Sequence, residues 1–388
     1  MPFTYHLPTK IIFGLPALEA LGSELGKVDA QRVLLVSDPG LADIGLVEHL
    51  RAGLGSEGRV ITPFTQVSSN PTSAEVAAGL TVAREIGAKA IIALGGGSPI
   101  DVGKGIAMLL SNGGSYVDYQ WGGEPIKHRS LPLLAVPTTA GTGSEVSKVA
   151  VIVDPDRPFK KGVLNPLMFP HAAVLDPELT RSLPPGLTAA TGIDALTHAL
   201  EAYSGRRANP HTDILALAAL DMIWWALPRT VENGDDMEAR AAMLMAALWA
   251  GTAMDHAGLG LIHSLSGPLT GALHLHHGLT NAILLTHVLR FNLPAISPNR
   301  RARLKQTFGL APDDADEALV DTLTQFVQDL GLPTRLAEVA DLTGFGQPEV
   351  ANLSGLVEDT LRMAMTPNNP RTVTAADVDS LLNELIVS

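Results

Sequence analysis

The chain has 388 residues, 46% of them hydrophobic and 17% charged, enough for two ordinary domains with substantial cores. Its formal net charge of −13 argues against a nucleic-acid partner, which asks for a basic face. With no cysteine it has no disulfide, no thiolate metal site and no cysteine nucleophile, so any metal must be held by histidine and carboxylate.

The N-terminus, MPFTYHLPTKIIFG, has no basic segment leading into an apolar core, which predicts no signal peptide and a soluble, cytoplasmic protein. Three β-branched runs follow: RVLLVSD (32–38), AKAIIALGGG (88–97) and LPLLAVPTT (131–139). Helical patterns near 43–54 and 72–86 lie between the first two. That alternation predicts a Rossmann-like parallel sheet wrapped by helices, an α/β dinucleotide-binding domain over residues 1–185. Beyond Pro184-Pro185-Gly186 the texture changes to Ala- and Leu-rich helical segments. No strand is expected there, so 186–388 reads as an all-helical domain. Its most apolar stretch, ILALAALDMIWWAL, is interrupted by Asp221 and too short to span a bilayer, so no membrane partner is expected.

Each strand ends in small residues, where an open α/β sheet places its ligands. After the second run, Gly95, Gly96 and Gly97 let a backbone approach a ligand closely, and Ser98 is suited to cap the following helix. That helix N-terminus would attract an anion, although a tight strand-helix connection needs no ligand. Asp38, at the tip of the first run, is placed to accept a bond from an adenosine ribose and to repel a 2′-phosphate, favouring NAD; a turn or capping role reads equally well. The third run leads into AVPTTAGTGSEVS, whose hydroxyls and glycines suit either a cofactor wall or local turns. In the helical half, Asp194 and His198 are four apart and share a face. Downstream come His263, His274, His276 and His277. A carboxylate and imidazoles on adjacent helices suit a divalent metal.

Taken together, the strings PTKIIFG, SDPGL, NPT, ALGGGSPIDVGKGIA, VPTTAGTGSEVS, GIDALTHALEAY, AGLGLIHSLSGPL and HHGLTNAILLTHVLRFN resemble the iron-containing (group III) alcohol dehydrogenases nearly end to end. The resemblance implies an active site in an interdomain cleft, with Asp194, His198, His263 and His277 as metal ligands. It implies a nucleotide site at Asp38, Asn70, Gly96, Gly97, Ser98, Asp101, Thr138, Thr139, Thr142 and Lys160. The implied reaction is hydride transfer between a small alcohol or aldehyde and NAD, with the metal polarising the substrate oxygen. The aspartate favours Fe²⁺, and Zn²⁺ fits the same ligands. Relatives are often homodimers. Maleylacetate-type reduction and a non-catalytic nucleotide-binding protein are the alternatives.

The chain also departs from the family pattern. The family's second histidine, one turn after the third ligand, is Gly267 here. Met254, Asp255 and His256 stand where Phe-Ser-Asn is usual, and His276 replaces a common proline before the last ligand. If a proton-relay role has moved, His256, His274 and His276 are the residues to consider, with water as the other route. Gly267 removes bulk and suggests room for a larger or branched substrate. Val149, Val151 and Met254 fall at aligned pocket positions, and all are apolar.

Overall fold

Six parallel strands, in the order β1-β8-β5-β4-β2-β3, form the frame of the N-terminal half. The computed structural model describes residues 2–120, 122–155, 161–273, 275–341 and 355–387. The chain divides into two units, His6–Arg181 and Ser182–Ser388, with the segment ahead of His6 belonging to the second.

In the first unit β1 (Lys10–Phe13) and α1 (Ala20–Lys27) lead to β2 (Arg32–Val36). Then come α2 (Pro39–Asp43), α3 (Leu46–Ser56), β3 (Val60–Phe64), α4 (Ser73–Glu85), β4 (Ala90–Gly95) and α5 (Gly97–Asn112). After β5 (Leu133–Pro137), β6 (Val149–Ile152) and β7 (Lys161–Leu164) pair antiparallel, and β8 (Ala172–Leu175) returns to the sheet. The three predicted strands are β2, β4 and β5. At one edge of the sheet, β3 carries Pro63 and an exposed Val60, as an edge strand tolerates.

Alternation along the central strands supplies two apolar layers. Leu34, Val36, Ile91, Ala93, Leu133 and Ala135 pack on one face with α4 and α5, and Val33, Leu35, Ile92, Leu94, Leu134 and Val136 pack on the other with α1 and α3. Local signals set the helix starts. Thr72 and Glu75 form a reciprocal capping box on α4. Asp38 caps α2 by accepting from the Leu41 N–H at 3.0 Å, with Pro39 in the first turn.

The regular elements among the described residues of the second unit are all helical, the α-helices being α6 (Pro185–Ser204), α7 (Pro210–Glu232), α8 (Met237–Ala257), α9 (Leu261–Leu273), α10 (His277–Asn292), α11 (Pro298–Thr307), α12 (Asp316–Asp329), α13 (Leu356–Arg362) and α14 (Ala375–Val387). Among the described residues α7 is the one helix long and apolar enough to cross a bilayer. It packs instead against α6 and α8, burying Ala216, Ala219, Leu220, Ile223, Ala226 and Leu227. Tyr5 stacks on His256 and lies against His211, which fixes the N-terminal segment to this unit.

Helices α6 and α10 approach closely at Gly278, where an added Cβ would lie 2.2 Å from the Ala190 carbonyl oxygen. Backbone cannot yield there as a side-chain tip can. Gly278→Ala is therefore expected to destabilise the protein by about 2–3 kcal/mol, read as a lower denaturation midpoint at unchanged slope.

Candidate active site

The sheet itself points to where a ligand belongs. From β2 the chain passes to β3 on one side, then crosses back to β4 on the other, so the strand order reverses between β2 and β4. Open α/β sheets bind ligands at such a switch point, outside the carboxyl ends of the strands. Asp38 follows β2 and Gly95–Gly97 follows β4. They are adjacent: a Cβ on Gly95 would lie 3.2 Å from Asp38 Oδ2 and 2.5 Å from Pro99 Cγ, and Gly95 has φ +147°. Only glycine fits that corner. Asp38 thus caps α2 with Oδ1, as its capping reading expects, while Oδ2 lies beside the Gly95 turn.

Ser98 does not cap α5. Gly96 holds that position, and the Ser98 hydroxyl donates to the Ser69 carbonyl at 2.9 Å. That bond ties the glycine turn to the exposed loop bearing Asn70. The threonine loop lies against the same turn. A Cβ on Gly96 would be 3.4 Å from Thr139 Oγ1, and one on Gly97 would be 2.9 Å from Thr142 Cγ2. The Thr138 N–H donates to the Gly95 carbonyl at 3.0 Å. The residues predicted from β2, β4 and β5 are therefore gathered at one end of the sheet.

Asp101 stands one turn into α5. Its carboxylate accepts from Ser144 Oγ at 2.5 Å and from the Val151 N–H at 2.8 Å. Lys104, 1% exposed, donates to Ser144 Oγ at 2.8 Å, Ser147 Oγ at 3.1 Å and the Val149 carbonyl at 2.7 Å. Both residues fasten the threonine loop and β6 to α5. Burial pushes the neighbouring Glu145 up to about 7, against the attraction of Lys104. Val151 is partly exposed and Val149 half-buried on β6; Met254 is half-buried on α8. Lys160 lies outside the described residues.

The histidines converge within the helical unit. Asp194, 3% exposed, sits in the middle of α6. Its Oδ1 lies 3.4 Å from His198 Nε2, 3.5 Å from His263 Nε2 and 3.6 Å from His277 Nε2. His198 and His263 stack with ring centroids 4.7 Å apart. Among the described residues, Asp194, His263 and His277 form a group whose donor atoms all lie within 4.8 Å of one another. Donors each about 2.1 Å from a tetrahedral ion sit roughly 3.4 Å apart, so the spacing fits a divalent metal.

Outer groups aim those imidazoles. Glu201 Oε2 lies 2.7 Å from His263 Nδ1, while its other oxygen accepts from the Ile262 N–H at 2.7 Å. Ser266 Oγ is 3.0 Å from His277 Nδ1. Each contact occupies Nδ1 and leaves Nε2 facing Asp194, the arrangement metal-binding histidines use. Asn281 adds an amide N–H, 2.8 Å from Asp194 Oδ1. Burial opposes charge on His263, yet Asp194 and Glu201 more than offset it and raise its pKa to about 9. Burial likewise works against the Asp194 carboxylate, and the surrounding imidazoles hold it well below the usual range.

Glu201, Ser266 and Asn281 were not anticipated. Glu201 had a signal: it lies three residues beyond His198 on the same apolar helix, a further carboxylate needing a partner. Of the three histidines considered for a relocated role, two are among the described residues. His256 stacks under Tyr5 with Nδ1 2.8 Å from the Thr252 carbonyl oxygen, and His276 is the N-cap residue of α10. His274 lies outside the described residues.

Comparison with known proteins agrees with this geometry. Residues 8–177 match the family described as iron-containing alcohol dehydrogenase, and 188–386 match the C-terminal region of the same family. The chain is 34% identical to the NAD-dependent methanol dehydrogenase of Bacillus methanolicus, over 98% of this chain and 99% of that one. It superimposes on a 1,3-propanediol oxidoreductase with TM-score 0.92 at 32% identity, covering 100% of both chains. A sulfoacetaldehyde reductase from Bifidobacterium kashiwanohense, solved in complex with NAD⁺, gives TM-score 0.88 at 30% identity over 100% of both. The chain belongs to the iron-containing alcohol dehydrogenase family.

Proposed function

We propose that this protein interconverts a small alcohol and its aldehyde using NAD, with Asp194, His198, His263 and His277 holding a divalent ion, Fe²⁺ in preference to Zn²⁺. The observation that carries this reading is Asp194 Oδ1 set 3.4–3.6 Å from three imidazole nitrogens in an apolar helical interior. A divalent ion there supplies Lewis-acid polarisation of the substrate oxygen, and NAD the hydride acceptor.

The chain's own groups do the rest. Glu201 and Ser266 hold the His263 and His277 rings in the tautomer that offers Nε2. Asn281 restrains the Asp194 carboxylate. In the other unit, Asp38 and the turn at Gly96, Gly97 and Ser98 would take the adenosine and pyrophosphate parts of the nucleotide. Thr138, Thr139 and Thr142 would wall it, and Asn70 stands beside it on the loop that Ser98 secures. Asp101 acts through Ser144 and Val151, as a positioning residue.

The test is NADH oxidation with a panel of short aldehydes on Fe²⁺-loaded protein. Turnover should disappear on chelation and return with Fe²⁺, and His263→Ala should lower both bound metal and turnover, the latter by about a thousandfold or more. Turnover that survives complete chelation would contradict the reading. Cofactor choice gives a separate check on Asp38. NADH should be preferred over NADPH by at least about tenfold in kcat/KM, and Asp38→Ala should narrow that gap while costing about 1 kcal/mol through the lost cap. A native preference for NADPH would refute the role of Asp38.

A further inference from the structure

The metal cluster is closed on most sides and open at one edge. The Asp194, His198 and His263 side chains are each 5% exposed, whereas the His277 side chain is 37% exposed. A substrate oxygen bound at this cluster must therefore enter on the His277 side. Beside that edge runs α9, which is buried from Leu261 to Thr270 at every position except Gly267. Gly267 is one turn beyond His263 on the same helix face, and its neighbour Ser266 contacts the His277 ring. The helix surface next to the open edge thus has no side chain of its own.

Another segment supplies one. A Cβ on Gly267 would lie 3.2 Å from Met363 Cε. Met363 directly follows α13 and is half-buried. Its backbone is braced: Met363 N–H donates to the Thr360 carbonyl at 3.2 Å, and Thr366 Oγ1 donates to the same oxygen at 2.6 Å. A few residues on, Asn368 Nδ2 donates to the Ala257 and Leu259 carbonyls at 3.0 and 2.9 Å, and Asn369 Oδ1 accepts from the Leu261 N–H at 3.2 Å. The segment carrying Met363 is thereby tied to the first turn of the helix carrying Gly267.

We propose that Met363, seated over Gly267 at the open edge of the metal cluster, is the specificity-determining residue that limits branching in the substrate carbon chain. This rests on the proposed alcohol–aldehyde reaction at that cluster. An unbranched thioether offers apolar, polarisable contact and no strong hydrogen-bond partner, so it favours an unsubstituted alkyl chain. Gly267 makes the room, and Met363 takes most of it back with a flexible end. The site is therefore expected to accept straight-chain aldehydes in preference to those branched at the carbon next to the carbonyl.

The experiment compares propanal with 2-methylpropanal in the Fe²⁺-loaded native enzyme and in Met363→Ala, Met363→Leu and Gly267→Ala. Calorimetric affinities for 1-propanol and 2-methyl-1-propanol are measured alongside turnover. Met363→Ala should raise the branched-to-linear ratio of kcat/KM by about tenfold, and tighten the branched alcohol in parallel. Met363→Leu should keep the native ratio to within about twofold. Gly267→Ala, which presses a methyl against Met363 from below, should lower the ratio severalfold. That variant also probes the same contact if Met363→Ala does not fold. Unchanged ratios in the folded, metal-loaded variants would overturn the role of Met363. A metal-loaded native enzyme that turns over no aldehyde of the panel would instead overturn the functional reading on which it rests.

Discussion

A carboxylate 3% exposed in the middle of a twenty-residue apolar helix is costly unless something answers its charge. Around Asp194 the answer comes from His198 on the same helix, His263 on α9 and His277 at the start of α10. The packing of three helices is thus arranged about one oxygen atom. Gly278 permits α10 to approach α6 at the residue after His277, and Glu201, one turn beyond His198, reaches across to hold His263. The helical unit resembles a bundle with a polar cluster set into an apolar interior. Its apolar residues provide stability, and its few polar ones determine which ends of the imidazoles face inward.

The α/β unit uses a different device for a similar end. Its strand order reverses between β2 and β4, so no connection crosses over the carboxyl ends of those two strands. Glycines let the backbone turn tightly at that edge, and a buried set of Asp101, Lys104 and Ser144 fastens the threonine loop beside it. The loop needs no basic residue aimed at a ligand. Its buried lysine acts behind it, as a support.

Much of this was legible in the amino-acid sequence, for identifiable reasons. β2, β4 and β5 are central strands buried on both faces, so they read as unbroken apolar runs; β1 and β3 are edge strands with exposed positions and β8 is a four-residue AAVL, so they leave a weaker trace. Asp194 and His198 were visible as a pair because four residues is one helical turn. His263 and His277 belong to other helices, and no local spacing connects them to Asp194; only resemblance to the alcohol dehydrogenases did so. Glu201, Ser266 and Asn281 act through partners 62, 11 and 87 residues away, and Asp101 and Lys104 through Ser144, 43 and 40 residues away. Such pairings follow from tertiary packing. Met363 is the extreme case, since its relevance follows from an absent side chain at Gly267.

The central claim is that the cluster around Asp194 is a metal site in which the ion competes with a proton. With metal stripped away, His263 between Asp194 and Glu201 keeps its proton up to about pH 9. Its raised pKa means this proton stabilises the metal-free fold at low pH and is lost as pH rises toward 9, so an ion must displace it at neutral pH. The most direct measurement is the calorimetric affinity of stripped protein for Zn²⁺, as a redox-inert probe, at pH 6.5, 7.5 and 8.5 in buffers of known proton enthalpy. One equivalent should bind, releasing protons and tightening by about tenfold per pH unit. Affinity independent of pH, or uptake well below one equivalent, would contradict the account.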